Sequence, residues 1–186
     1  YEGLDDLVSA CARLRRSGIV FRLLLVGSGP PGPDGLCAVT ERVRELASGE
    51  GLADWLIMPG RVPHDEVADW YSLIDIAPFP RKSQPVTELV SPLKPLEAMA
   101  MEKAVIVSSV GGMRDMVRDG ETGLIFAKDD AQALEHALHR LLEDVPLRQR
   151  LGAAGREWVK GNRSWRNVAD AMLGALQPLL ACQARR

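Results

Sequence analysis

The sequence predicts an α/β fold: a Rossmann-like, doubly wound parallel sheet of about five to six strands, with extra helices at the C-terminal end. Three observations predict it. Short apolar runs rich in Val, Ile and Leu alternate with helix-patterned segments as far as residue 128. Those runs lack the polar alternation of a half-exposed strand, as expected for strands covered on both faces. The links between them are short and carry Gly and Pro, as in GSGPPGP at 27–33.

Each element has its own signal. Leu4, Leu7, Val8, Cys11 and Leu14 recur at helical spacing, and Gly18 stops the helix. VFRLLLV (20–26) is a buried strand, and 36–48 is helical again. Residues 55–58 form a strand ended by Pro59 and Gly60, and 65–73 a short helix. Residues 74–79 form the next strand, broken by prolines. A loop over 81–91 leads into a helix that reaches about Met101. Residues 104–107 and 124–126 are strands, with a helix from Gly111 to near Arg118 between them. Helices follow at 131–142, 146–160 and 165–180, and 181–186 is a frayed tail.

The totals exclude several classes of function. The 186 residues suit one domain with an appendage. The net charge of -2 gives no general attraction for nucleic acid or anionic lipid. Three scattered cysteines without metal spacing fit a reduced, cytosolic setting. No apolar run approaches the ~18 residues of a spanning helix. The chain starts at Tyr1 with a helix and no preceding strand. The expectation is therefore a piece of a longer protein, lacking its first strand. Residues 1–164 are its Rossmann-like domain, and 165–186 are a helix and tail that cross to an absent N-terminal domain.

In open α/β sheets ligands bind beyond the carboxyl ends of the strands. Three loops stand there: GSGPP after Val26, GRVPH after Met58, and RKSQPVTELVSPLK after Pro80. In the last, Ser91–Pro92 or Pro95 starts a helix. The N–H groups of Leu93 and Lys94 then face an incoming anion, and Lys94 adds a full charge. Arg81 and Lys82 open the same loop and are placed to close over a diphosphate. Lys94 and Glu97, three residues apart, share a helix face. Two readings stand: a capped surface helix with an ion pair, or a site for a ligand with a phosphate end and a hydroxyl end.

The string PLEAMAMEKAVIVSSVGGMRDMVRDGETGLIF resembles the donor-domain signature of the group 1 glycosyltransferases, retaining enzymes of the GT-B fold. YEGLDDLVSACARLRRSG with LLLVGSGP, and GRVPHDEVADWYSLIDIAPFP, resemble the domain's opening and middle. The resemblance implies the donor-binding half of an enzyme that moves a sugar from a nucleoside-diphosphate sugar to an acceptor. The sugar or lipid-linked acceptor would sit on the absent N-terminal domain, and the isolated piece is expected to be inactive. Polysaccharide or glycolipid synthesis is implied, in the cytoplasm or peripherally at the inner membrane face.

Residue by residue, the resemblance puts Glu97 on the donor ribose and Glu88 on the sugar hydroxyls. Eight residues separate them, one more than is usual in the family. Arg61 and the Val62 backbone fall where the nucleobase is met, although a solvated arginine explains Arg61 equally well. Glu2 stands where the family often has a lysine, leaving Lys94 and Arg81 to balance the diphosphate. Gly27, Gly29 and Gly112 either permit turns or let a ligand approach the backbone. Glu102 stands where relatives often carry glycine. No metal or cofactor is expected: His136 and His139 share a helix face but lack a third ligand. The loop after Val26 is neither G-x-G-x-x-G nor a P-loop. The other readings are a nucleotide-sugar epimerase or phosphorylase of the same plan, and a non-catalytic nucleotide-binding module.

Overall fold

The computed structural model describes residues 1–29 and 37–183. The turn expected at 30–33, the helix start expected at residue 36, and residues 184–186 of the tail lie outside the described residues. Strand and helix alternate as expected. The order is α1 (Leu4–Arg16), β1 (Leu23–Val26), α2 (Ala38–Gly49), β2 (Leu56–Gly60), α3 (Val67–Ser72) and β3 (Ile76–Phe79). Then come α4 (Pro85–Leu89), α5 (Lys94–Ala100), β4 (Ala104–Ser108), α6 (Gly111–Arg114) and β5 (Leu124–Phe126). Helices α7 (Ala131–Glu143), α8 (Val145–Asn162) and α9 (Trp165–Gln183) finish the chain.

All strand pairs are parallel, but they form two sheets. β1 pairs with β2, with Leu23 opposite Leu56; β3, β4 and β5 form the second sheet. β1 and β3 do not pair with each other. β4, flanked on both edges, is buried at every position. Its side chains alternate between two cores, as the period of a strand requires. Ala104 and Ile106 join Leu7, Leu14, Leu134 and Leu141; Val105 and Val107 join Met99 and Met113. Burying one such Leu or Ile side chain contributes roughly 1.5–3 kcal/mol.

The helices follow their sequence signals. Cys11 sits on the buried stripe of α1, and burial pushes its thiol up to about 12. The carboxylate of Asp130 caps α7 by accepting from the N–H groups of Gln132 and Ala133, and Asp144 caps α8 through Leu147. Three local expectations change. The expected loop at 81–91 contains α4, which a capping box of Gln84 and Thr87 starts. α6 is a single turn that stops at Arg114. α9 continues to Gln183, past the expected start of the tail at residue 181.

Glu102 takes φ +61°, the left-handed region that side chains disfavour. It ends the turn after α5, where its N–H donates to Met99 O at 2.9 Å. Its carboxylate makes only an exposed 3.4 Å contact with Arg156, a weak compensation. Glu102→Gly is therefore expected to stabilise the fold by about 1 kcal/mol. Denaturant titration checks it, and a destabilised variant would contradict the strain.

Candidate functional site

One cavity runs along β1 and β3 and reaches the carboxyl ends of these strands. Gly27, Ser28, Arg61, Val62, Tyr71, Lys94 and Glu97 line this cavity of about 990 Å³. Gly27 ends β1 at φ +115°, and its N–H donates to Gly60 O at 2.8 Å, tying the tips of β1 and β2 together. Only glycine takes that φ without strain. The next strand-end segment brings Lys94 and Glu97 on α5, one turn apart on the cavity side. The helix starts at Lys94, with Pro95 in its first turn.

The electrostatics differ from expectation around Arg81. Arg81 is not a free cation at the mouth. It is buried, and its Nη2 and Nε donate to Glu2 Oε1 and Oε2 at 3.0 and 3.3 Å. Lys94 Nζ stands 3.8 Å from the same Glu2 carboxylate and is mostly exposed. Burial pushes Glu2's pKa up, but hydrogen bonds from Arg81 and the charges of Lys94 and Arg81 outweigh it and hold the carboxyl below its ordinary range. Glu2, read as a departure from the family, is thus the anion that Arg81 neutralises. Lys82, the other cation of that loop, is bound to Asp5 and Asp6.

Glu88 also lies outside the cavity lining. Oε1 accepts from Ser83 Oγ at 2.7 Å and from Lys128 Nζ, while Oε2 accepts from the Gly111 N–H at 2.8 Å. The Lys128 ammonium, Ser83 and Gly111 pull its pKa down to about 2. The carboxylate pins the 83–89 segment to α6 and to the loop after β5. Gly112 is required for the same contact: a Cβ there would lie 2.2 Å from Val90 O. Backbone packing by itself accounts for a glycine at this position. Gly29 lacks the positive φ considered for it and lies against Cys37, whose Sγ is 3.0 Å from a Cβ built there. Leu93 caps α5 and its side chain is exposed.

Lowered folded-state pKa values have one sign. Stability from Glu88 is present above the ordinary value of 4.5 and is lost as pH falls toward about 2. Lys128→Met is expected to raise the Glu88 pKa and to remove part of that acid dependence. An NMR titration of the Glu88 carboxyl between pH 2 and 6 reads it directly. An unchanged midpoint would mean that Lys128 does not hold the group.

Lys128 and Tyr71 are the residues that sequence reasoning passed over. Lys128 lies just past the carboxyl end of β5, a loop that the strand-end rule covers but that no motif marks. Tyr71 lines the cavity with Trp70, on a short helix that no motif marks. Burial, helped by the Glu97 charge, pushes the Tyr71 hydroxyl up to about 12, so it stays a neutral hydrogen-bond donor. Among the described residues no group of His, Cys, Asp and Glu is placed to hold a metal. No described helix is long and apolar enough to cross a membrane.

Parallel strands alternating with helices, with a cavity that runs along β1 and β3 to their carboxyl ends, define a Rossmann-like α/β domain. The sequence profile described as "Glycosyl transferases group 1" matches residues 1–144. The GDP-mannose-dependent alpha-(1-6)-phosphatidylinositol monomannoside mannosyltransferase of Mycobacterium tuberculosis is 32% identical over 95% of this chain and 44% of its own length. The D-inositol 3-phosphate glycosyltransferase of Stackebrandtia nassauensis is 34% identical over 92% of this chain and 38% of its own. The solved sucrose-phosphate synthase of Thermosynechococcus elongatus superposes with a TM-score of 0.81 at 34% identity, covering 97% of this chain and 43% of that one. The chain belongs to the group 1 glycosyl transferases and has their GT-B, Rossmann-like fold. It spans less than half the length of these relatives.

Proposed function

We propose that this domain holds the nucleoside-diphosphate sugar donor of a retaining glycosyltransferase. The observation that supports the reading is the joint presence of Lys94, Glu97, Gly27 and the Arg61–Val62 segment in the lining of one cavity. Lys94 balances the diphosphate, whose charge grows as the bond to the sugar breaks. Glu97 accepts from the two ribose hydroxyls, and the Arg61–Val62 segment meets the base. Arg81 and Glu88 are left out of the ligand shell because their charges are already bound to Glu2 and Lys128.

The Mycobacterium relative is named for GDP-mannose and for a phosphatidylinositol mannoside. That supports a nucleotide-sugar donor, and a lipid-linked or glycan acceptor held by residues outside this chain. On this reading the reaction belongs to polysaccharide or glycolipid assembly at the cytoplasmic face of a membrane. Calorimetric titration with GDP, UDP and ADP tests it. Binding of one of them without sugar transfer by this chain alone is the expected result. Absence of binding to all three would sink the reading.

A further inference from the structure

We infer that Glu2 is a specificity-determining residue: its fixed carboxylate beside Lys94 discriminates against a diphosphate whose terminal phosphate is free, and so against the product of sugar transfer. The inference rests on the donor reading above and adds to it a selection by ligand charge. Lys94 lines the cavity and is the residue that this reading gives to the diphosphate. Its Nζ lies 3.8 Å from Glu2 Oε1, and the same oxygen accepts from Arg81 Nη2 at 3.0 Å. One carboxylate oxygen is therefore shared by two cations. Lys82, the next cation of that loop, is held by Asp5 and Asp6. These six side chains carry three positive and three negative charges. As a group they are neutral, whereas a site that draws anions by excess charge would be positive.

The carboxylate is held in place. Arg81 grips it through two donors, Nε and Nη2, and is itself buried. The backbone on either side of Glu2 is fixed as well. The Tyr1 carbonyl accepts from the Lys82 N–H at 3.0 Å, and Gly3 lies so close to Pro80 that a Cβ would meet its carbonyl oxygen. Swinging Glu2 away would strand the buried guanidinium. The Lys94 contact is the weaker one, since it is long and Lys94 is mostly exposed. An entering diphosphate therefore takes Lys94 and leaves Glu2 behind as a negative neighbour. A β-phosphate bonded to sugar brings about one negative charge; a free one brings about two, because the second pKa of a phosphate monoester is about 6. Transfer breaks the bond between the anomeric carbon and a β-phosphate oxygen. The electron pair stays on that oxygen, while the acceptor oxygen bonds the carbon and loses its proton. The new charge on the β-phosphate meets Lys94 and Glu2 together. Lys94 holds donor and product alike; Glu2 disfavours the extra charge and speeds release of the product.

Calorimetry tests the inference, with GDP, UDP and ADP and the β-methyl ester of each as ligands. The ester carries the donor's charge without its sugar. Glu2→Gln keeps an acceptor for Arg81 and removes the charge. At pH 8 it should raise the preference for the free diphosphate over its ester about tenfold relative to wild type. At pH 5 the terminal phosphate keeps its proton, and that gain should shrink to below about threefold. Glu2 itself stays ionised over this range. Burial pushes its carboxyl up, but the hydrogen bonds from Arg81 and the charges of Lys94, Arg81 and the Tyr1 ammonium outweigh it. The double variant Glu2→Gln/Arg81→Gln neutralises the pair without stranding a charge. It should move the preference the same way by about threefold or more, and it carries the test if the single variant does not fold. An unchanged preference in the folded variants overturns the inference, as does an equal gain at pH 5 and pH 8. Either result leaves the donor reading standing. Binding of no nucleotide by wild type removes both.

Discussion

Lys94→Ala is expected to weaken binding of a nucleoside diphosphate about tenfold or more while leaving the nucleoside nearly unaffected. A hydrogen bond to a charged group contributes ~1.5–3 kcal/mol, and the exposure of Lys94 argues for the lower end. The discrimination comes from geometry. Lys94 heads α5, and Glu97 follows one turn later and lines the same cavity. The two residues therefore address different ends of one ligand. Glu97→Ala should accordingly weaken nucleoside and nucleoside diphosphate by the same factor. Calorimetry on both ligands with both variants resolves the four affinities. If Lys94→Ala costs the two ligands equally, Lys94 does not meet the diphosphate. Glu2 is the competitor in this site, since the Lys94 ammonium already stands 3.8 Å from it. An anion that binds must outweigh that exposed, weak contact.

Gly3→Ala should destabilise the fold by about 3 kcal/mol, lowering the melting temperature by roughly 6–12 °C for a chain of this size. Gly3 takes φ +72°, and a Cβ there would fall 1.8 Å from the Pro80 carbonyl oxygen. Backbone must move, because no side chain is available to turn aside. The movement separates residues 1–3 from 80–82. The Lys82–Tyr1 hydrogen bond goes with it, and the part-buried Arg81–Glu2 pair is disturbed. Separating Glu2 from Arg81 leaves the buried guanidinium without its partner charge, so the losses are coupled. Differential scanning calorimetry checks the outcome. A loss below about 1 kcal/mol would show that residues 1–3 peel away from Pro80 at little cost.

Strand positions were legible because a buried parallel strand needs an unbroken apolar run; β5 at Leu124–Phe126 and β4 from Ala104 were read to the residue at their starts. The short α4 was not legible, since its five residues are too few for a periodic pattern. Lys94 and Glu97 were legible as a pair because helical spacing alone puts them on one face. Arg81 is a site candidate from its loop and Glu88 from the family resemblance, and each is held in an ion pair with a residue 79 or 40 positions away that no local pattern reveals.

The sequence by itself determined the strand–helix alternation, the parallel sheet, the family and the Lys94–Glu97 face. All of these rest on local periodicity or on contiguous strings. Tertiary structure alone decided which charges are free. It put Glu2 between Arg81 and Lys94, Lys128 on Glu88, and Val90 O against Gly112. It also split the sheet between β1 and β3. The reason is physical: an ion pair or a strand edge is satisfied by whatever the fold brings within a few ångströms, and separation along the chain carries no record of that distance.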